Sequence, residues 1–147
     1  MSVKHPIIAI TGSSGAGTST VMQSFQHIFR REGLNAQVIE GDSFHRYDRL
    51  SMRAKMKEEE AAGNRNFSHF GPGANLLAEL ENLFRTYGQT GTGQFRKYLH
   101  DAGEAEPWKQ DPGTFTPWQD IPEGTDLMFY EGLHGAYADG KIDVPKH

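Results

Sequence analysis

Thr11-Gly12-Ser13-Ser14-Gly15-Ala16-Gly17-Thr18-Ser19-Thr20 matches the phosphate-loop pattern G-x-x-x-x-G-K-[ST] at every place but one, since Thr18 stands where the lysine belongs. Small residues let the backbone curl so that successive N–H groups point inward, and a helix beginning at the loop's end adds its N-terminal dipole. A polyphosphate therefore finds donors without side chains, and Ser19 is placed to offer its hydroxyl to Mg²⁺. The glycine order is Gly-x-x-Gly-x-Gly, which is not the dinucleotide fingerprint Gly-x-Gly-x-x-Gly. Read without its surroundings, the loop could also be a glycine-rich turn with no ligand.

Its surroundings favour the nucleotide reading. Before it, Ile7-Ile8-Ala9-Ile10 is a short apolar run after Pro6, suited to a strand buried on both faces. After it, Val21, Met22, Phe25, Ile28 and Phe29 recur at three- and four-residue steps and close on Arg30, Arg31 and Gly33, the pattern of an amphipathic helix. Residues 36–40 read as a second short strand. Together these form a strand–helix–strand unit, for which a parallel sheet and right-handed crossover are the default.

Further along, Ser51 to Ala62 has helix-favouring composition with Gly63 as a stop, and a second helix is expected from about Ala74 to Tyr87. Ten Gly or Pro between residues 88 and 126 mark irregular structure, with a candidate strand over Gln94 to His100. Leu127 to Tyr130 reads as a third strand ending in Glu131-Gly132.

The 147 residues suit one domain, residues 1–147, and disfavour two. Leu, Ile, Val and Phe number 29, about a fifth of the chain, a thin supply for a self-sufficient core. Zero Cys removes disulfides, thiolate zinc sites and cysteine nucleophiles. No apolar run approaches the roughly 20 residues that span a bilayer, and the start shows no signal-peptide pattern, so the expectation is a cytoplasmic protein without a membrane partner. Residues 1–100 carry a charge of +3 and residues 101–147 a charge of −7. No basic cluster is free of acids, so nucleic acid is not an expected partner.

Two further groups bear chemistry. In Glu40-Gly41-Asp42-Ser43-Phe44-His45-Arg46-Tyr47-Asp48-Arg49, Asp42 can accept a proton from a hydroxyl, and His45 and Arg49 can hold an anionic group on the acceptor. Asp42 alone could equally be a helix N-cap. In Phe129-Tyr130-Glu131-Gly132-Leu133-His134-Gly135, Glu131 ends an apolar strand, where phosphate-loop enzymes place a metal-side carboxylate. His134 reads at least as well as a satisfied loop histidine. Tyr98 and His100, by themselves, read as surface residues.

These segments, with Tyr-Leu-His-Asp at 98–101, resemble bacterial-type phosphoribulokinase in order and spacing, and the threonine in the lysine's place is a trait of that family. The resemblance implies a nucleoside-monophosphate-kinase-like (P-loop kinase-like) α/β fold of three layers with a mainly parallel sheet, the Glu131 strand lying beside the first. It implies ATP-dependent phosphorylation of the C1 hydroxyl of ribulose 5-phosphate, giving ribulose 1,5-bisphosphate for carbon fixation. By matching position, Asp42 is the implied base; Gly12, Ser13, Ser14, Gly15, Ala16, Gly17, Thr18, Ser19 and Thr20 hold ATP; Ser19 and Glu131 serve Mg²⁺. His45 and Arg49 hold the sugar phosphate, with Tyr98 and His100 in the same pocket. Bacterial members are homo-oligomers regulated by NADH and AMP, a contact to which Arg31 is assigned.

Family members continue well past the Glu131 strand with further strands and cations, so the chain is expected to be the N-terminal portion of such a fold, truncated at the C-terminus. Other small-molecule kinases, such as uridine or pantothenate kinase, and a non-catalytic nucleotide-binding fragment stand as alternatives.

Overall fold

The computed structural model describes residues 3–147. Strands β1 (Ile7–Thr11), β2 (Ala36–Glu40) and β5 (Leu127–Gly132) form a parallel sheet in the order β1-β5-β2. Ile7 lies opposite Met128 and Thr11 opposite Gly132 on one side of β5; Ala36 lies opposite Leu127 and Glu40 opposite Glu131 on the other. All three strands therefore end together, and the segments following them open on one edge of the sheet.

Alternation along β5 builds the layers. Leu127 and Phe129 face α1 (Thr18–Arg31), where the Phe129 ring lies 5.3 Å from that of Phe25 and 5.4 Å from that of Phe29. Met128 and Tyr130 face α3 (Leu77–Thr90), where they meet Leu80, Leu83, Phe84 and Tyr87. Helix, sheet and helix make the three layers expected. Doubly buried character belongs to β5, whose first four residues are all buried. β1, expected to be buried on both faces, lies at the sheet's edge and is only half-buried, with Ala9 exposed.

The helices depart from their sequence pattern for local reasons. In α1 the inward stripe is Met22, Phe25 and Phe29, while Val21 and Ile28 sit off that stripe and are exposed. α2 (Arg49–Ala61) begins before Ser51 because the Asp48 carboxylate caps it, accepting from the Ser51 amide at 2.8 Å. α3 starts later than Ala74, which lies in a separate 3₁₀ turn, and runs through Gly88 to Gly91, whose φ of 71° closes it.

The expected strand over 94–100 is mostly absent. β3 (Gln94–Phe95) pairs with β4 (Gln119–Asp120), Tyr98 makes a single bridge to Phe115, and the short helix α4 (Ala102–Ala105) follows, capped by Asp101. No helix among the described residues is long and apolar enough to cross a membrane.

Candidate active site

The sheet's open edge carries the loop after β1, the 3₁₀ turn Gly41–Phe44 after β2, and the Leu133–His134 turn after β5. In the first, Gly15 and Gly17 take φ of 83° and 85°, which turns successive amides the same way and which side chains with a Cβ rarely adopt. The Ala16 amide donates to the Ser13 carbonyl at 3.0 Å, closing the turn. A Cβ on Gly12 would lie 2.9 Å from the Thr18 methyl, so the Thr18 side chain packs over Gly12.

Two cavities adjoin this edge. One, of about 430 Å³, is lined by the glycine loop with Ser19, Asp42, Glu131 and His134. The other, of about 390 Å³, is lined by Tyr47, Arg49, Arg53 and Tyr98. Asp42, His45 and His69 line both. A larger cavity of about 500 Å³ between α3 and the β3–β4 region holds Ala78, Leu83 and Trp118 and none of these groups.

At the junction, Asp42 is flanked by two imidazoles. Its Oδ1 lies 3.4 Å from His45 Nε2 and its Oδ2 lies 3.2 Å from His100 Nε2. The His45 contact leads in holding the Asp42 carboxyl down to about 2 against the opposing effect of burial, with His100 adding to it. His45 is raised, first by Asp42 and further by Asn75. Burial pulls His100 down, and its hydrogen bonds to Glu104 and Asp42 outweigh that pull and leave it raised. Glu40, at the end of β2, is pushed up by burial.

The sign of the resulting pH dependence follows. Asp42 contributes stability that is present above its unfolded value near 3.8 and lost as pH falls toward about 2. The two histidines contribute stability that is present below about 6.5 and lost as pH rises through their raised values. The cluster therefore contributes most between about pH 4 and 6.5. The thermal unfolding midpoint is expected to decline above that window, and Asp42→Asn to flatten the decline. An equal alkaline slope in that variant would contradict the coupling.

Asp42 is not a helix N-cap: it lies inside the 3₁₀ turn, where its carbonyl accepts from the His45 amide at 3.2 Å, and Asp48 takes the capping role. Arg49 donates from Nη2 to the His100 carbonyl at 2.8 Å and leans over the Tyr98 ring, which ties three of the proposed acceptor residues together. His134 bonds the Phe70 carbonyl at 2.9 Å, the satisfied loop histidine that its sequence position suggested, and so closes one wall of the loop cavity. Arg31 lies away from this edge, exposed at the end of α1 and paired with Glu32 at 2.8 Å.

Three supporting residues escaped sequence reading. Arg96 is half-buried, its guanidinium 3.6 Å from the Phe115 ring centroid and 4.7 Å from that of Trp118. It donates to the Ser43 carbonyl at 2.8 Å and to the His45 carbonyl at 2.7 Å, clamping the turn that carries Asp42. Buried Asn75 donates to the carbonyls of His69 and Gly71, both at 2.8 Å, and presents its Oδ1 to His45 Nδ1 at 2.9 Å. Glu104 meets His100 Nδ1 at 3.0 Å. The one available signal was the aromatic spacing around residues 96–118; nothing local marks Asn75 or Glu104.

The glycine loop on a strand–helix junction, with acids at the ends of the other two strands of the sheet, defines an α/β protein of the phosphate-loop kinase class. The chain belongs to the phosphoribulokinase/uridine kinase family, whose model matches residues 7–144. It is 60% identical over its whole length to the chromosomal phosphoribulokinase of Cupriavidus necator, covering 50% of that protein. It is 54% identical to a probable phosphoribulokinase of Escherichia coli K12, again over 100% of this chain and 50% of the relative. The solved phosphoribulokinase from Rhodobacter spheroides superposes with a TM-score of 0.85 at 48% identity, over 97% of this chain and 48% of that one. A putative fructose transport system kinase from Silicibacter sp. TM1040, at TM-score 0.60 and 15% identity over 94% of this chain and 58% of its own, shares the fold alone. The chain spans about half the length of the curated relatives it matches.

Proposed function

We propose that these residues serve a phosphoribulokinase, transferring the terminal phosphoryl of ATP to the C1 hydroxyl of ribulose 5-phosphate to give ribulose 1,5-bisphosphate in the Calvin cycle. The observation that carries this is the meeting of two cavities at Asp42, one lined by the phosphate loop and one by basic residues. Transfer needs a donor phosphate and an acceptor hydroxyl held either side of one base.

The loop amides of Gly12 to Thr20 cradle the ATP phosphates. Mg²⁺ takes most of its ligands from phosphates and water and one or two from protein. Ser19 and Glu131 line the same cavity and fit that demand, while no cluster of three His, Asp or Glu suited to a metal occurs among the described residues. When bound, the ion neutralises charge developing on the transferring phosphoryl group. Arg49 and His45 hold the sugar phosphate, with Tyr98 and His100 completing that wall. Asp42 accepts the hydroxyl proton, and its ionised state at neutral pH keeps it available for that role.

Arg31, exposed and remote from the junction, is proposed as part of the NADH and AMP effector contact in a homo-oligomer, and the protein as cytoplasmic. A second reading, nucleotide binding without transfer, is favoured by one feature: Thr18 lies over Gly12, and no lysine or arginine lines the loop cavity among the described residues. Coupled measurement of ADP release separates the readings. Release that depends on ribulose 5-phosphate and not on uridine is the expected result; nucleotide binding with no transfer to any acceptor would support the second.

A further inference from the structure

His45 and His100 each place one ring nitrogen on Asp42, so their protonation follows from what the other nitrogen meets. The Asn75 amide nitrogen donates to two carbonyls, which fixes its Oδ1 toward His45 and makes His45 Nδ1 the donor. His100 Nδ1 meets the Glu104 carboxylate, whose same oxygen accepts the His100 backbone amide at 2.8 Å. On both rings, each nitrogen faces an acceptor. A neutral imidazole has one N–H and cannot satisfy two acceptors. This arrangement favours the imidazolium form of both rings, one beside each oxygen of Asp42.

We propose that Glu104 is a positioning residue for the transfer reaction: it holds His100 charged with Nε2 on Asp42 Oδ2, which, with His45 on Oδ1, fixes the plane of the carboxylate. The role in catalysis rests on the reading of Asp42 as the base; the arrangement itself does not. Glu104 is well placed for this. It lies on α4, whose cap, Asp101, accepts the Glu104 amide at 3.0 Å, so the carboxylate that grips His100 is held by the same turn. The other charged groups near the pair are Glu40, close to His100, and Arg96, which works against the charge on His45. Arg49 meets the His100 carbonyl, and the Tyr98 ring edges both imidazoles, 6.3 Å from His45 and 4.9 Å from His100. The pair of cations beside Arg49 also gives an anionic acceptor a positive wall that Glu104 sustains although it never touches the acceptor.

Side-chain ¹⁵N–¹H spectroscopy of the chain itself tests this without requiring turnover. At about pH 7, both nitrogens of His45 and of His100 are expected to carry protons. Glu104→Gln keeps an oxygen acceptor for the His100 amide and removes the charge, so the His100 titration is expected to move to lower pH by more than that of His45. Glu104→Ala removes the anchor as well and should abolish the distinct His100 Nδ1–H signal. A neutral His100 in the unmodified chain at pH 7 would overturn the proposal, as would an unmoved titration in Glu104→Gln with an unchanged backbone amide spectrum. Failure of the kinase reading shows separately, as ADP release that ignores ribulose 5-phosphate, and leaves these spectra as they are.

Discussion

Replacing Asp42 by Asn is expected to lower ribulose 5-phosphate-dependent turnover about a thousandfold, within the range that a positioned general base contributes. The amide keeps the shape of the carboxylate and can still fill the space between His45 and His100, but it neither accepts the hydroxyl proton nor carries the charge that the two imidazoles face. Nucleotide affinity should stay within a factor of about two, because the proposed phosphate cradle is made of backbone amides that follow another strand. The variant also removes the carboxylate that raises both imidazoles, so both histidines should titrate at lower pH. Rapid-quench measurement of transfer, with nucleotide binding followed by calorimetry, checks both halves. Turnover within about tenfold of the unmodified protein would remove Asp42 from the role of base.

Gly41→Ala is expected to destabilise the fold strongly. β2 and β5 converge where the site begins, and a Cβ on Gly41 would lie 2.6 Å from the Tyr130 hydroxyl and 2.9 Å from the Gly132 Cα. The second of these is backbone in the central strand and cannot swing aside. Overpacking of this kind costs about 3 kcal/mol, or about 8 °C in unfolding midpoint for a protein of this size. Gly63→Ala is the control: φ there is 78° but no atom lies within 4 Å of the added Cβ, so only backbone strain of about 1 kcal/mol applies. Equal losses in the two variants, measured by thermal unfolding, would contradict the close approach. A small loss at Gly41 would mean that β2 and β5 part readily, and with them Asp42 and Glu131.

What sequence could reveal was set by how local each signal is. The strand–loop–helix unit was legible because the glycine spacing, the flanking apolar run and the 22/25/29 stripe lie within about 25 consecutive residues. Two of the three residues lining both cavities, Asp42 and His45, were legible for the same reason, lying in one short segment after a strand, whereas His69 carries no such local mark. Burial was not. Ile7-Ile8-Ala9-Ile10 looks more uniformly apolar than it is buried, because strand order, which periodicity does not encode, puts β5 in the centre.

The supports were hidden for a different reason. Arg96 clamps a turn 53 residues away and Glu104 reaches Asp42 only through His100, 58 residues from it. An arginine and a glutamate in a Gly- and Pro-rich region carry no local mark of such work. His100 itself, which reads as a surface residue, gains its meaning from the fold that brings it to Asp42.

Asp42 is proposed to stand between a nucleotide and a phosphorylated sugar. Product analysis is decisive: ATP and ribulose 5-phosphate are incubated with the protein and the sugar product is identified by ³¹P spectroscopy. One ribulose 1,5-bisphosphate formed per ADP, with no phosphorylation of uridine, is the predicted result. Phosphorylation of uridine in its place, or ATP bound and neither acceptor phosphorylated, would contradict it.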